Sequence, residues 1–168
     1  MNDADARLQN ALDERDVIRA ILRYPTGVDM RDWSLYRQAF TDEVEVDFSS
    51  WNGGGPSKMT ADQWVAGVRS TLAGFEATQH TLTNFVVDVD GDSARTVVYM
   101  QAQHYLPNTK GDATLTLGGY YNHEMVRTAT DWKIRKVRLT VTWTTGNRSI
   151  FELARQRVAD GLEGPTRT

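Results

Sequence analysis

Between Ala77 and Trp143 almost every residue reads as strand, and this run constrains the fold more than any other part of the chain. Asp90-Gly91 sits between two alternating segments and is a strong hairpin signal, because glycine accepts the positive φ such turns need. Pro107 to Asp112 (PNTKGD) makes a longer turn, and Thr130-Asp131, just before Trp132, makes a weaker third. Four strands result, over roughly residues 78–89, 93–106, 114–127 and 132–143. Consecutive hairpins of this kind pair antiparallel. Strands of about a dozen residues twist and curl rather than lie flat.

The residues ahead of the sheet read mainly as helix. Leu8, Ala11, Leu12, Ile18, Ile21 and Leu22 recur at helical spacing, and Pro25 with Gly27 is expected to break or bend that helix. Asp32 is placed to cap a short second helix carrying Trp33, Tyr36 and Phe40. Val44, Val46 and Phe48 alternate with Glu45 and Asp47 as a further strand, and SSWNGGGPSK reads as a loop. Thr60 and Gln63 have capping-box spacing ahead of Trp64, Val65, Val68 and Leu72, with Gly74 as the stop. Roughly residues 149–160 form a last helix, and GLEGPTRT reads as a frayed end. Helices followed by long hairpins give an α+β domain, with the helices packed on one side of a curved antiparallel sheet. Such a cone leaves a concave pocket, the usual place for a small ligand. The 168 residues show no linker, so one domain is expected over 1–168, its ordered core running from about residue 8 to about residue 160.

Composition narrows the function. A net charge of −3 provides no basic field for phosphate, so nucleic acid is not the expected partner. The absence of cysteine removes disulfides, thiolate metal sites and cysteine nucleophiles together. The opening MNDADARLQNALDER is acidic and lacks an apolar run, so no signal peptide is expected, and no segment has the apolar length to cross a membrane. A cytoplasmic protein with a small-molecule substrate is the expectation.

Three histidines are the first candidates for chemistry at neutral pH. Alternation puts His80 on a face with Leu82, Asn84 and Val86. It puts His104 on an apolar, small-residue face with Ala94, Thr96, Val98, Met100 and Ala102, which should point inward. His123 lies opposite Tyr120 and Asn122 and reads as structural or exposed. One histidine on an apolar strand face is more often a hydrogen-bonded core residue than a catalyst. Two inward histidines on one hairpin favour function. Asp29, in GVDMRDW, is the carboxylate to set beside them, because Asp32 is better placed for the cap. Spacing alone does not bring Asp29 to His80.

At these residues the chain resembles a known family. VDMRDWSLYRQAF, VEVDFSSW, TQHTLTNFVVDVDGDSA, YMQAQHY, GGYYNHEMV and DWKIRKVRL, in this order, are similar to the scytalone dehydratase and SnoaL-like branch of the nuclear-transport-factor-2-like superfamily, which also holds the hexachlorocyclohexane dehydrochlorinase. The resemblance implies a cone fold and a cofactor-free lyase, isomerase or cyclase, with an aspartate in the bend after the first helix and a histidine on an early strand as an acid–base dyad. Asp29 and His80 match these, His104 matches a second histidine, and Asn122 matches a substrate-binding asparagine. Two tyrosines of scytalone dehydratase fall on Val28 and Phe48, which lack hydroxyls, so Tyr24 or Tyr120 becomes the candidate donor. Phe48, Met100, Leu139 and Trp143 are expected to wall the pocket. No cofactor or metal is implied. A homodimer or homotrimer through the open sheet face is expected, and the alternative function is small-molecule binding without turnover.

Overall fold

The computed structural model describes residues 2–167. Helix α1 (Asp3–Met30) opens on a capping box, in which Asn2 Oδ1 accepts from Asp5 N and the Asp5 carboxylate accepts from Asn2 N. Val17, Ala20, Ile21, Tyr24 and Val28 form its buried stripe at helical spacing. The expected break at Pro25 and Gly27 does not occur. Pro25 sits inside the helix and sacrifices one backbone bond, while the buried stripe continues to Val28 and holds the last turn down. Gly27 serves packing instead: a Cβ there would stand 2.5 Å from Tyr36 N, so its absence lets α2 (Trp33–Gln38) lie against α1. Asp32 caps α2 as expected, accepting from Leu35 N at 2.9 Å.

Strand β1 (Phe40–Asp47) begins four residues earlier than the alternation suggested, and the glycine-rich stretch is not all loop. It holds a single-turn helix α3 (Ser49–Asn52) and a short strand β2 (Ser57–Thr60). The Thr60–Gln63 capping box opens α4 (Ala61–Leu72). Gly74 follows because a Cβ there would collide with the carbonyl of Ala154 on the last helix. The long strands are β3 (Ala77–Asp90), β4 (Ser93–Tyr105), β5 (Thr114–Arg127) and β6 (Trp132–Gly146), and α5 (Ile150–Ala159) completes the chain's helices. The sheet order is β2-β1-β6-β5-β4-β3, antiparallel except for the parallel β1–β6 pair.

Bulges curve this sheet, and each resets which residues face inward. In β3 the pairing jumps between Thr83 and Val86 across Asn84, whose φ is +50°. Asn84 and Val86 therefore do not share the inward face of His80. Phe85, Val87 and Val89 take it, and Val86 is exposed. In β6 the pairing skips Arg135 and again Thr142. The second skip turns Trp143 onto the outer surface, where it lies over Gly118.

The C-terminal segment is not frayed over the described residues. Gly164 N donates to Ala73 O at 2.7 Å, and Arg167 N donates to Met30 O at 3.2 Å. Among the described residues no helix is long and apolar enough to cross a membrane.

Candidate active site

The inner face of the sheet supplies one wall of a cavity of about 220 Å³, through Met100, Ala102, Leu117, Tyr121 and Leu139. Helices supply the other: Phe48 and Trp51 at α3, Trp64 and Val68 from α4, and Phe151 and Arg155 from α5. Its polar groups are few, as a small-molecule site requires.

His80 and His104 both line this cavity, on adjacent strands with ring centroids 5.8 Å apart. Asp29 stands behind His80. It belongs to the last turn of α1, not to a bend after it, because α1 runs through Pro25 to Met30. The carboxylate accepts from His80 Nδ1 at 2.7 Å, from His80 N at 2.7 Å and from Thr78 Oγ1 at 2.8 Å. A helix C-terminus is an unfavourable place for a negative charge. Burial also opposes it. The hydrogen bond and charge of His80, its backbone N–H and Thr78 together outweigh burial and hold the Asp29 carboxyl below its ordinary range. An ionised carboxylate only accepts, so the proton in this bond sits on His80 Nδ1.

His104 points inward as its apolar neighbours indicated, packed between Phe75 at 5.0 Å and Phe151 at 4.7 Å. Burial, and next the charge of His80, push it down to about 3, so it is uncharged at neutral pH. A charged acid on His104 is not available there. His123 is buried, not exposed, and lies outside this cavity. Its Nδ1 pairs with Thr96 Oγ1 at 2.8 Å, and burial pushes it down to about 3.

The donor side of the cavity differs from expectation. Tyr24 lines it as expected, but its partner is Tyr121, with the two hydroxyls 3.3 Å apart. Burial pushes Tyr24 up to about 12 and Tyr121 well above its ordinary value, so both phenols stay protonated. Tyr120 and Asn122 are not on the cavity wall. In β5 the buried side chains are Leu115, Leu117, Tyr121, His123 and Met125, with Gly118 buried beneath Trp143 on the other face, so Tyr120 and Asn122 face outward, where Tyr120 stacks near Tyr99 at 6.2 Å. The alternation of Leu115, Leu117 and Met125 carried that signal. Trp143 is also off the wall, turned out by the bulge at Thr142. Phe48, Met100 and Leu139 are where they were expected. Thr78, Trp64 and Phe151 were missed, because a lone threonine and two aromatics carry no distinguishing local pattern.

Among the described residues no group of three histidine, aspartate or glutamate side chains is placed to hold a metal ion. Both Asp29 oxygens are already occupied by the three donors.

The same architecture recurs in solved structures. The Kfla4162 protein of Kribbella flavida superposes with a TM-score of 0.79 at 30% identity, covering 87% of this chain and 99% of that one. A scytalone-dehydratase-like protein of Novosphingobium aromaticivorans gives 0.70 at 23% identity, over 83% of this chain and 90% of its own. A type 2 hexachlorocyclohexane dehydrochlorinase gives 0.68 at 20% identity, over 87% and 93%. At these identities the last two speak to the fold alone. The profile of the SnoaL-like domain matches residues 9–138, from within α1 into β6, and thus spans both halves of the Asp29–His80 pair. A cone of this topology with that match means that the chain belongs to the SnoaL-like domain family of the nuclear-transport-factor-2-like superfamily.

Proposed function

We propose that this protein is a cofactor-independent lyase or isomerase in which His80, oriented by Asp29, removes a proton from carbon on a small, largely apolar cyclic substrate. The observation that carries the reading is the 2.7 Å bond between His80 Nδ1 and an Asp29 carboxylate that also accepts from His80 N and Thr78. That bond fixes the imidazole's tautomer and stabilises the imidazolium formed when Nε2 takes the proton. The electron pair released from the C–H bond moves toward an adjacent carbonyl, or forms the new double bond as a leaving group departs with its own pair. Water results when the leaving group is a hydroxyl that takes up one proton. Tyr24 and Tyr121, both protonated, are the donors for negative charge developing on substrate oxygen. They replace the hydroxyls absent at Val28 and Phe48. His104, being uncharged, positions substrate as a neutral donor or acceptor. Phe48, Met100 and Leu139 exclude water.

Elimination is the first reaction to test, since neighbours of this fold are named for dehydration and dehydrochlorination. The cavity, at about 220 Å³, is smaller than the roughly 300–1,000 Å³ usual for ligand sites and suits one compact ring system. Binding without turnover is the rival reading, and the missing hydroxyls at Val28 and Phe48 are what favour it. A screen of hydroxylated and halogenated cyclic compounds for release of water or halide separates the two. Asp29→Asn and His80→Ala, each folded, should then lose at least ~100-fold in turnover. Near-wild-type turnover in both would end the dyad reading.

A further inference from the structure

The dyad leaves one buried cation without a task. Arg31 follows Asp29 by two positions and is 7% exposed. Its backbone is left-handed at φ 61°, a conformation that residues with a Cβ adopt at a cost and that persists only where the surroundings impose it. The guanidinium reaches across the end of α1. Nη1 donates to Val28 O at 2.9 Å and to Thr78 Oγ1 at 3.2 Å, and Nη2 donates to Phe75 O at 2.9 Å. A guanidinium can only donate. Thr78 Oγ1 therefore accepts from Arg31, and its single proton points to Asp29 Oδ1. The carboxylate in turn accepts from His80. Each link Arg31–Thr78–Asp29–His80 thus runs in one direction by chemistry.

We propose that Arg31, acting through Thr78, is a positioning residue that keeps Asp29 ionised as the fixed acceptor for His80 Nδ1–H. The inference rests on the dyad reading, but its test does not depend on turnover. The location of Asp29 shows why such a device is needed, because burial and the carbonyl end of α1 both favour the neutral acid there. Arg31 answers both. It caps Val28 O at the helix end and sets a permanent positive charge one hydroxyl away from the carboxylate.

Arg31 and Thr78 add to an effect that His80 already exerts against burial through its hydrogen bond, its charge and its backbone N–H. Tyr24 from α1, Tyr121 from β5 and His104 from β4 face Asp29 from the cavity side, and all three are uncharged at neutral pH. Beside Arg31 stand Glu76, just before β3, with Glu163 and Arg167 from the C-terminal segment. Burial opposes the Arg31 charge most strongly, Asp29 and the two glutamates favour it, and Arg167 opposes it.

The experiment follows the Asp29 side-chain carboxyl by carbon-13 NMR as the full-length protein is titrated. Arg31→Met and Thr78→Val should each raise the Asp29 midpoint by about one pH unit or more, and Thr78→Ser should restore it. Thr78→Val is nearly isosteric and tests the Thr78 link, while Arg31→Gln, which keeps a donor for Val28 O but carries no charge, tests the Arg31 link if Arg31→Met does not fold. An unmoved midpoint in folded Thr78→Val overturns the relay. The two readings fail separately: the relay falls if the midpoint is unmoved, whatever the turnover, and the dyad falls if Asp29→Asn turns over normally, whatever the midpoint.

Discussion

Lowering the pH from 7.5 to 5 should cost this fold about 4 kcal/mol, because two buried histidines stay uncharged for as long as it is folded. His104 and His123 are both held at about 3 by burial, against an ordinary value of 6.5 in the unfolded chain. Between those values the unfolded chain binds two protons that the folded one refuses. Their contribution is complete above the unfolded value and is lost as pH falls from there toward the folded one. At about 1.4 kcal/mol per pH unit per group, each histidine accounts for about 2 kcal/mol at pH 5. A domain of this size has only about 5–15 kcal/mol in total, so the effect is large. Asp13 and Asp29 are held below the ordinary carboxylate range, so their stabilisation is lost only at lower pH and does not enter this window. The assay is urea unfolding followed by tryptophan fluorescence at pH 7.5, 6 and 5, with a slope approaching about 3 kcal/mol per pH unit at the acid end. His123→Gln should remove about half of that slope while leaving the cavity intact, since the amide can still meet Thr96 Oγ1. Stability unchanged between pH 7.5 and 5, or a slope indifferent to His123→Gln, would refute the reasoning.

Two further outcomes follow from packing and from the outer surface. Gly27→Ala should destabilise by about 1–3 kcal/mol in thermal melts, since its Cβ would meet Tyr36 backbone atoms at 2.5 and 2.8 Å. Gly67→Ala, with nothing within 4 Å of its Cβ, should stabilise α4 by about 0.5–1 kcal/mol, and equal effects at both sites would contradict the packing account. Tyr99 and Trp143, 52% and 45% exposed, lie on the outer sheet face. Tyr99→Lys with Trp143→Lys should shift a homodimer or homotrimer toward monomer in sedimentation equilibrium, and self-association unaffected by both would remove this face from the interface.

Local chemistry made much of the molecule readable. The long hairpins, the Asp32 cap, the Thr60–Gln63 box and the inward face of His104 depend on neighbours a few residues away, and all stand as expected. Tyr120 and Asn122 were set in the site by the family resemblance, against an alternation in β5 that turned them outward, whereas Trp143 was misplaced through strand phase. A strand has period two, so one extra residue exchanges inside for outside along everything beyond it. The extra residue at Thr142 does this to Trp143, and the bulge at Asn84 does it to Val86. Nothing in the local sequence marks either, because a bulge is fixed by the partner strand. Pro25 errs the other way. As a local signal it ends a helix, but the buried stripe of α1 outweighs one lost hydrogen bond.

The sequence by itself determined the sheet, the candidate pair Asp29 and His80, and the small inward residues that leave room for a cavity. Only the tertiary structure decided that Asp29 and His80, 51 residues apart, share a hydrogen bond. It also decided that Arg31 and Thr78 stand behind that bond, that Tyr121 rather than Tyr120 faces the cavity, and that His104 is uncharged. The physical reason is range. Caps and hairpin turns are settled within a few residues, whereas burial and the meeting of distant side chains depend on how the whole sheet curves around them.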